Sequence, residues 1–173
     1  MATDEARQRL TEAGIVFERV EPDSAEARAC LTRYYAELAA RFEGGFDEAG
    51  ELPTDPDDMR PPRGAFLVAS VHGTPVACSA VKTFAPGVGY IKRMWVDEAM
   101  RGMGLGRRML QAIETQAREL GFITVLLETN RALTEAINLY RHAGYTEVAP
   151  FNDERYAHHW FEKRLRAGRG TQP

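Results

Sequence analysis

Cysteine is scarce in this chain: Cys30 and Cys78 are the only two among 173 residues. They stand far apart and without metal-ligand spacing, which argues against a disulfide framework and against a zinc site, and both read as small core residues. Long apolar runs are missing as well. No stretch approaches the roughly 18 residues a membrane helix needs, and the opening MATDEARQRL is charged and helix-prone, with no apolar signal core. A cytoplasmic location with no membrane partner is the expectation. Excess charge is also absent, since 22 basic residues face 25 acidic ones for a formal net charge of −3, so nothing global points to nucleic acid. What remains is an ordinary globular composition, 44% apolar and 27% charged, at a length that suits one domain over 1–173.

Periodicity divides the chain. GIVFERVEP (14–22) reads as a first strand, and from a cap at Asp23 or Ser24 the pattern turns helical, with Ala27, Leu31, Tyr34, Tyr35, Leu38 and Phe42 as the apolar stripe. Residues 43–64 mix Gly, Pro and acids and read as a long loop with one helical turn; the seven acids between Glu43 and Asp58 read as a solvated run in preference to a surface that attracts a cationic substrate. AFLVASVHG and TPVACSAVKTF form a hairpin about His72-Gly73-Thr74, and YIKRMWVD (90–97) is the next strand. A helix runs from Gly104 to Leu120, FITVLLET (122–129) is a central buried strand, and residues 131–144 form a further helix. YTEVAP and YAHHWFEKRL are the last two strands, and the tail from 166 on reads as disordered. The order predicts an α/β fold: an antiparallel half leading into a β-α-β-α-β half, with helices on both faces of the sheet.

The stretch RGMGLGR (101–107) opens the helix with three glycines, which are poor helix formers. A dinucleotide fingerprint and a Walker A loop both fail on spacing, because counted from Gly102 each needs a glycine where Arg107 stands. A strand, a glycine loop and an amphipathic helix remain. The first N–H groups of a helix have no internal partner and carry partial positive charge; glycines leave them open to a phosphate, and Arg101, Arg107 and Arg108 add charge. The competing reading is a tight turn and nothing more.

Arg101-Gly102-Met103-Gly104-Leu105-Gly106 matches R/Q-x-x-G-x-G/A, and the chain thereby resembles the GNAT superfamily of acetyl-CoA-dependent N-acetyltransferases. The resemblance extends from about Ala65 to Leu165 and includes the A-x-x-L-Y…G-Y run at Ala136, Leu139, Tyr140, Gly144 and Tyr145. IKRM (91–94), LET (127–129) and WFEK (160–163) bring it nearest to small bacterial members. It implies a mixed, mostly antiparallel sheet of about seven strands, with a splayed parallel pair in the middle and a bulge on the strand before the loop. Acetyl-CoA would be the co-substrate, with no metal, the acceptor a primary amine of a small molecule or peptide, and a homodimer one assembly.

Carried over residue by residue, Met94, Trp95 and Val96 would offer backbone groups to the pantetheine arm, and Arg101, Gly102, Met103, Gly104, Leu105, Gly106 and Arg107 would hold the pyrophosphate. Glu128 and Tyr140 stand at the separation of base and proton donor in the superfamily's ribosomal-protein alanine acetyltransferases, which makes Glu128, directly or through water, the candidate base and Tyr140 the candidate acid. A strand-end carboxylate facing solvent or an arginine, and a core tyrosine, are the alternatives. The chain departs from the family pattern twice: YIKRMWV lacks the glutamate many members carry on that strand, and Leu133 replaces a pantetheine-binding asparagine, leaving Asn130 and Asn138 as nearby substitutes. His158 and His159 face opposite ways on a strand and cannot readily share a metal. One of them, with Asn152, Asp153 and Tyr156, is a candidate border of the acceptor pocket, and Arg63 a candidate partner for a substrate carboxylate. A non-catalytic acyl-CoA sensor, or transfer from another acyl-CoA, are the rival functions.

Overall fold

A computed structural model describes residues 14–167; the tail expected to be disordered lies outside them from residue 168. Its strands are β1 (Ile15–Val20), β2 (Gly64–Val71), β3 (Thr74–Ala85), β4 (Val88–Val96), β5 (Thr124–Thr129), β6 (Thr146–Val148) and β7 (His159–Arg164). Its α-helices are α1 (Ala25–Arg41), α2 (Leu105–Glu119) and α3 (Thr134–His142). The strands form one seven-stranded sheet in the order β1-β2-β3-β4-β5-β7-β6, antiparallel throughout except for β4 and β5. None of the helices among the described residues is long and apolar enough to cross a membrane.

Strand alternation builds two cores, one on each face of the sheet. In β2, Phe66 and Val68 join Ala27, Cys30, Met59, Cys78 and Trp95 under α1, while Leu67, Ala69 and Val71 join Met109, Ile113 and Phe161 under α2. Both cysteines are free and buried, as their core reading requires. Ser24 is the residue that caps α1, its Oγ accepting from the Ala27 N–H at 3.2 Å. The expected hairpin turns at His72 (φ 49°) and Gly73 (φ 76°), the two positive values of a type I′ turn.

Two expectations need correction. The loop at 43–64 holds two 3₁₀ turns, Glu48–Gly50 and Pro56–Met59, and part of its acidic run caps them: Asp47 accepts from the Ala49 N–H and Asp55 from the Asp57 N–H. The run is therefore not merely a solvated face. The last helix begins at Thr134 rather than 131, because Asn130 Oδ1 takes the Ala132 N–H at 2.9 Å and its carbonyl takes the Leu133 N–H at 3.0 Å, closing a turn ahead of the helix.

One charge lies in the otherwise apolar stripe of α2. Glu114 is buried, accepts from Lys163 Nζ at 2.8 and 3.1 Å and from the Tyr145 hydroxyl at 3.0 Å, and so pins α2 to β7. The stripe's apolar members carry the packing. Ile113→Ala is expected to destabilise the fold by about 2–5 kcal/mol, the usual cost of truncating a fully buried aliphatic side chain. Exposed Gln111→Ala should stay within about 0.5 kcal/mol. Urea unfolding of the two variants measures the contrast.

Candidate active site

The site begins with a fault in the sheet. Cys78 pairs with Trp95, but two residues further along β3 Ala80 pairs with Lys92, so β4 carries one extra residue and bulges. Arg93 sits in that bulge at φ 57°, and the Cys78 thiol donates to its carbonyl at 3.3 Å. On its other edge β4 meets β5 only at Val88–Thr124, Gly89–Val125 and Tyr90–Leu126. Beyond Tyr90 the two parallel strands part, and two adjoining cavities open along the gap, with Tyr34 and Leu38 of α1 and Leu133 and Ala136 in the walls of both.

The first cavity lies at the glycine loop. Met94, Trp95, Val96, Arg101, Gly102, Gly104, Leu105, Gly106 and Arg107 line it; Met103 does not, and packs against the core instead. Gly102 and Gly104 both hold φ 78°, where a side chain is strained, and α2 starts from Gly104 with no side-chain cap on its first N–H groups. This uncapped helix end in a cavity wall fits a phosphate-bearing ligand. The arginines divide their work differently from the sequence expectation. Arg101 donates to the Val96 carbonyl at 2.9 and 3.2 Å and pairs with Glu37 of α1, because that carbonyl lies where β4 has no β5 partner. Arg108 lies over the Phe17 ring of β1 and away from the cavity. Arg107 lines the cavity with no ion-pair partner among the described residues. The Trp95 ring is core, with the Arg33 guanidinium 4.8 Å from its centroid.

The second cavity brings Glu128 and Tyr140 together. Glu128 Oε1 accepts from the Tyr90 hydroxyl, while Oε2 is buried without a partner. Burial pushes this carboxyl up to about 7, against the opposing pull of the Tyr90 hydrogen bond and of Lys92. The alternative of a carboxylate facing solvent or an arginine is not what the structure holds. Tyr140, 4% exposed, packs against Tyr145 and Phe161, and burial raises its phenol above the ordinary value. It is a core tyrosine and a cavity residue at once.

Sequence reasoning missed four groups here. Glu51 and Glu154 come from the two long loops, and Tyr90 and Lys92 from β4. Lys92 Nζ donates to Thr54 Oγ1 at 2.9 Å, and burial lowers its ammonium pKa. Burial raises Glu51, and Glu154, 9% exposed, accepts the Leu52 N–H on Oε2 and leaves Oε1 unpartnered. The period-2 pattern of YIKRM already set Tyr90 and Lys92 on one face; the signal lacked only the register against Glu128.

Other sequence candidates fall elsewhere. Asn130 lines the second cavity, but both ends of its amide are bound to backbone, Oδ1 by the Ala132 N–H and Nδ2 by the Tyr156 carbonyl at 2.8 Å. Asn138 is exposed and lines neither cavity. Arg63 is exposed and faces Asp58 at 3.9 Å. Tyr156 lines the second cavity; His158 accepts the Arg131 N–H beside a separate surface hollow, and His159 pairs with Glu147. Asp153 lines neither cavity, and Asn152 lies behind Tyr90.

Comparison with known proteins agrees with this architecture. The model of the Acetyltransferase (GNAT) family matches residues 7–145, and the chain belongs to that family. An IAA acetyltransferase of Azospirillum brasilense is 42% identical over 87 residues, which cover 50% of this chain and 57% of that protein. The match thus spans little more than half the relative's length. A GNAT-family acetyltransferase from Staphylococcus aureus has the same fold, with a TM-score of 0.72 at 16% identity over 88% of this chain and 100% of that one. A Salmonella typhimurium structure that contains acetyl-CoA gives 0.64 at 15% identity, over 91% of this chain and 98% of that one.

Proposed function

We propose that this chain is an N-acetyltransferase that moves the acetyl group of acetyl-CoA to a primary amine of a small molecule or peptide. The observation that carries the reading is the unpartnered, buried Oε2 of a carboxyl poised near 7, in one cavity with Tyr140 and adjoining the cavity at the glycine loop. Family membership supplies the donor class. When bound, acetyl-CoA supplies an electrophilic thioester carbonyl.

Each residue then has a task. Gly102 and Gly104 through Arg107 hold the pyrophosphate on the uncapped end of α2. The N–H groups of β4 beyond Tyr90, freed from β5, serve the pantetheine arm and the developing oxyanion at Met94–Val96. Glu128 Oε2 takes a proton from the incoming ammonium and leaves a neutral amine, whose lone pair forms the C–N bond as the C–S bond breaks. The hydroxyl of Tyr140, kept protonated by burial, gives its proton to the departing thiolate, and the extra proton shed by the acylated nitrogen restores the phenol. Release of free thiol across a panel of amines tests the function, and binding of CoA with no release for any amine would favour the sensor reading.

Four outcomes follow from the assignment. Glu128 must be ionised to accept a proton, so kcat/KM should fall tenfold per pH unit below about 7 and level off above it. Glu128→Gln should lower it by about two to four orders of magnitude and remove that limb. Tyr140→Phe should reduce kcat by roughly one to three orders of magnitude with CoA affinity nearly intact, as loss of a proton donor does; an unchanged kcat removes Tyr140 from the mechanism. Gly104→Val strains a left-handed position by about 1–3 kcal/mol and should weaken CoA binding about tenfold in calorimetry, an effect that a mere turn would not give.

A further inference from the structure

A chain of hydrogen bonds runs behind Glu128, and its direction is set at the far end. Trp160 of β7 lies directly across from Glu128 of β5 in the sheet. Its indole Nε1–H can only donate, and it donates to Asn152 Oδ1 at 2.9 Å. The backbone N–H of Glu154, also donor-only, approaches the same oxygen at 3.3 Å. Two donors on one side of the amide fix its orientation, so Nδ2 points to Tyr90 and donates to the phenol oxygen at 3.2 Å. The Tyr90 oxygen is thereby the acceptor, and its own proton goes to Glu128 Oε1. Phe84 and Phe151 hold the Tyr90 ring edge-on, each with its centroid 6.0 Å away, so the phenol has a fixed seat.

We propose that Trp160, Asn152 and Tyr90 are positioning residues that commit Oε1 of Glu128 to an internal donor and reserve Oε2 as the one oxygen that exchanges protons with the amine. The proposal rests on Glu128 being the base. Without Trp160 the amide can flip, its oxygen can accept the Tyr90 proton, and Glu128 loses the donor that favours its ionised form. The other groups around this carboxyl are Lys92 and Arg93 of β4, Glu51 and Glu154 of the loops, Tyr34 of α1 and Tyr140 of α3. Of these only Glu154 is hydrogen-bonded to the chain, through its backbone N–H on Asn152; Trp160→Phe and Tyr90→Phe leave that contact in place, so a shift in Glu128 common to them reads the chain of bonds itself.

The test uses Trp160→Phe and Asn152→Leu, which keep bulk and charge while removing the donor or the whole amide. Two quantities are measured: the acid limb of kcat/KM and the midpoint of the Glu128 carboxyl in ¹³C NMR. Loss of a charge-assisted hydrogen bond should move both upward by about one pH unit, lowering kcat/KM about tenfold at pH 6 and leaving the alkaline plateau in place. Tyr90→Phe should give at least the same shift. If either variant folds and keeps both the wild-type limb and the wild-type midpoint, the proposal is overturned. A midpoint that moves while Glu128→Gln retains full activity supports the hydrogen-bond chain and defeats the base assignment, which separates the two readings.

Discussion

Because Tyr90 and Leu126 are the last residues that β4 and β5 share, every backbone group further along that edge of β4 must find a partner other than a strand. The bulge at Arg93 makes this parting possible. A non-glycine residue at positive φ costs on the order of 1–3 kcal/mol, and here it is held in place from the opposite edge: β3 pairs with β4 on both sides of the bulge, and the Cys78 thiol bonds the Arg93 carbonyl. The freed edge then recruits its surroundings. Arg101 returns from the glycine loop to the Val96 carbonyl and reaches Glu37, Glu37 also meets Arg41, and Arg41 crosses to Glu135 of α3. One missing ladder thus organises the loop, the first helix and the last helix about a single gap.

Burial acts on the charges in that gap in opposite senses. It raises the carboxyls of Glu51 and Glu128 and lowers the ammonium of Lys92, since in each case the charged form is the one desolvated. Mutual attraction between these groups works against the burial effect in each case. Glu128 ends near 7 because its hydrogen bond from Tyr90 and the field of Lys92 offset only part of its desolvation. A fully solvated glutamate would lack this upward push, and one left without Tyr90 would be pushed higher still.

The elements were legible because they follow from period and punctuation. Seven strands and three helices came from alternation, the Ser24 cap and the glycine stops, and the family motif was carried by the loop itself. The bulge was not legible from the residues, since Arg93 carries no glycine to mark a left-handed position; only the resemblance anticipated it. Tyr90 escaped because its meeting with Glu128 depends on a parallel register across 37 intervening residues, set by strand pairing and not by local pattern. The second task of Arg101 was hidden because sequence shows a charge near glycines but not the unpaired Val96 carbonyl that it also serves. Glu51 was lost in an acidic run whose other members cap turns, pair with basic side chains or face water, and Asn130 looked free until its amide closed a turn.

On the proposed reading, the two cavities differ in how their recognition is written. The first offers backbone: strand N–H groups, a helix end and glycines whose identity is forced by φ, so it leaves a spaced signature that any chain using it must repeat. The second offers side chains from segments with no required conformation. Tyr34 comes from α1, Phe46 and Glu51 from the loop after it, and Glu154 and Tyr156 from the loop before β7. Tyr156 stitches the two loops together, its hydroxyl accepting the Asp47 N–H at 2.9 Å and its ring packing on Phe42 and Phe46. Met59 and Asn152 tie these loops to β4, Met59 at the bulge residue Arg93 and Asn152 at Tyr90, so it is the loop residues outside those contacts that can be exchanged without disturbing the bulge or the glycine loop. A donor bound by backbone is therefore readable from spacing, whereas an acceptor bound by loop side chains is readable only from the charges and rings that the folded loops bring to Glu128.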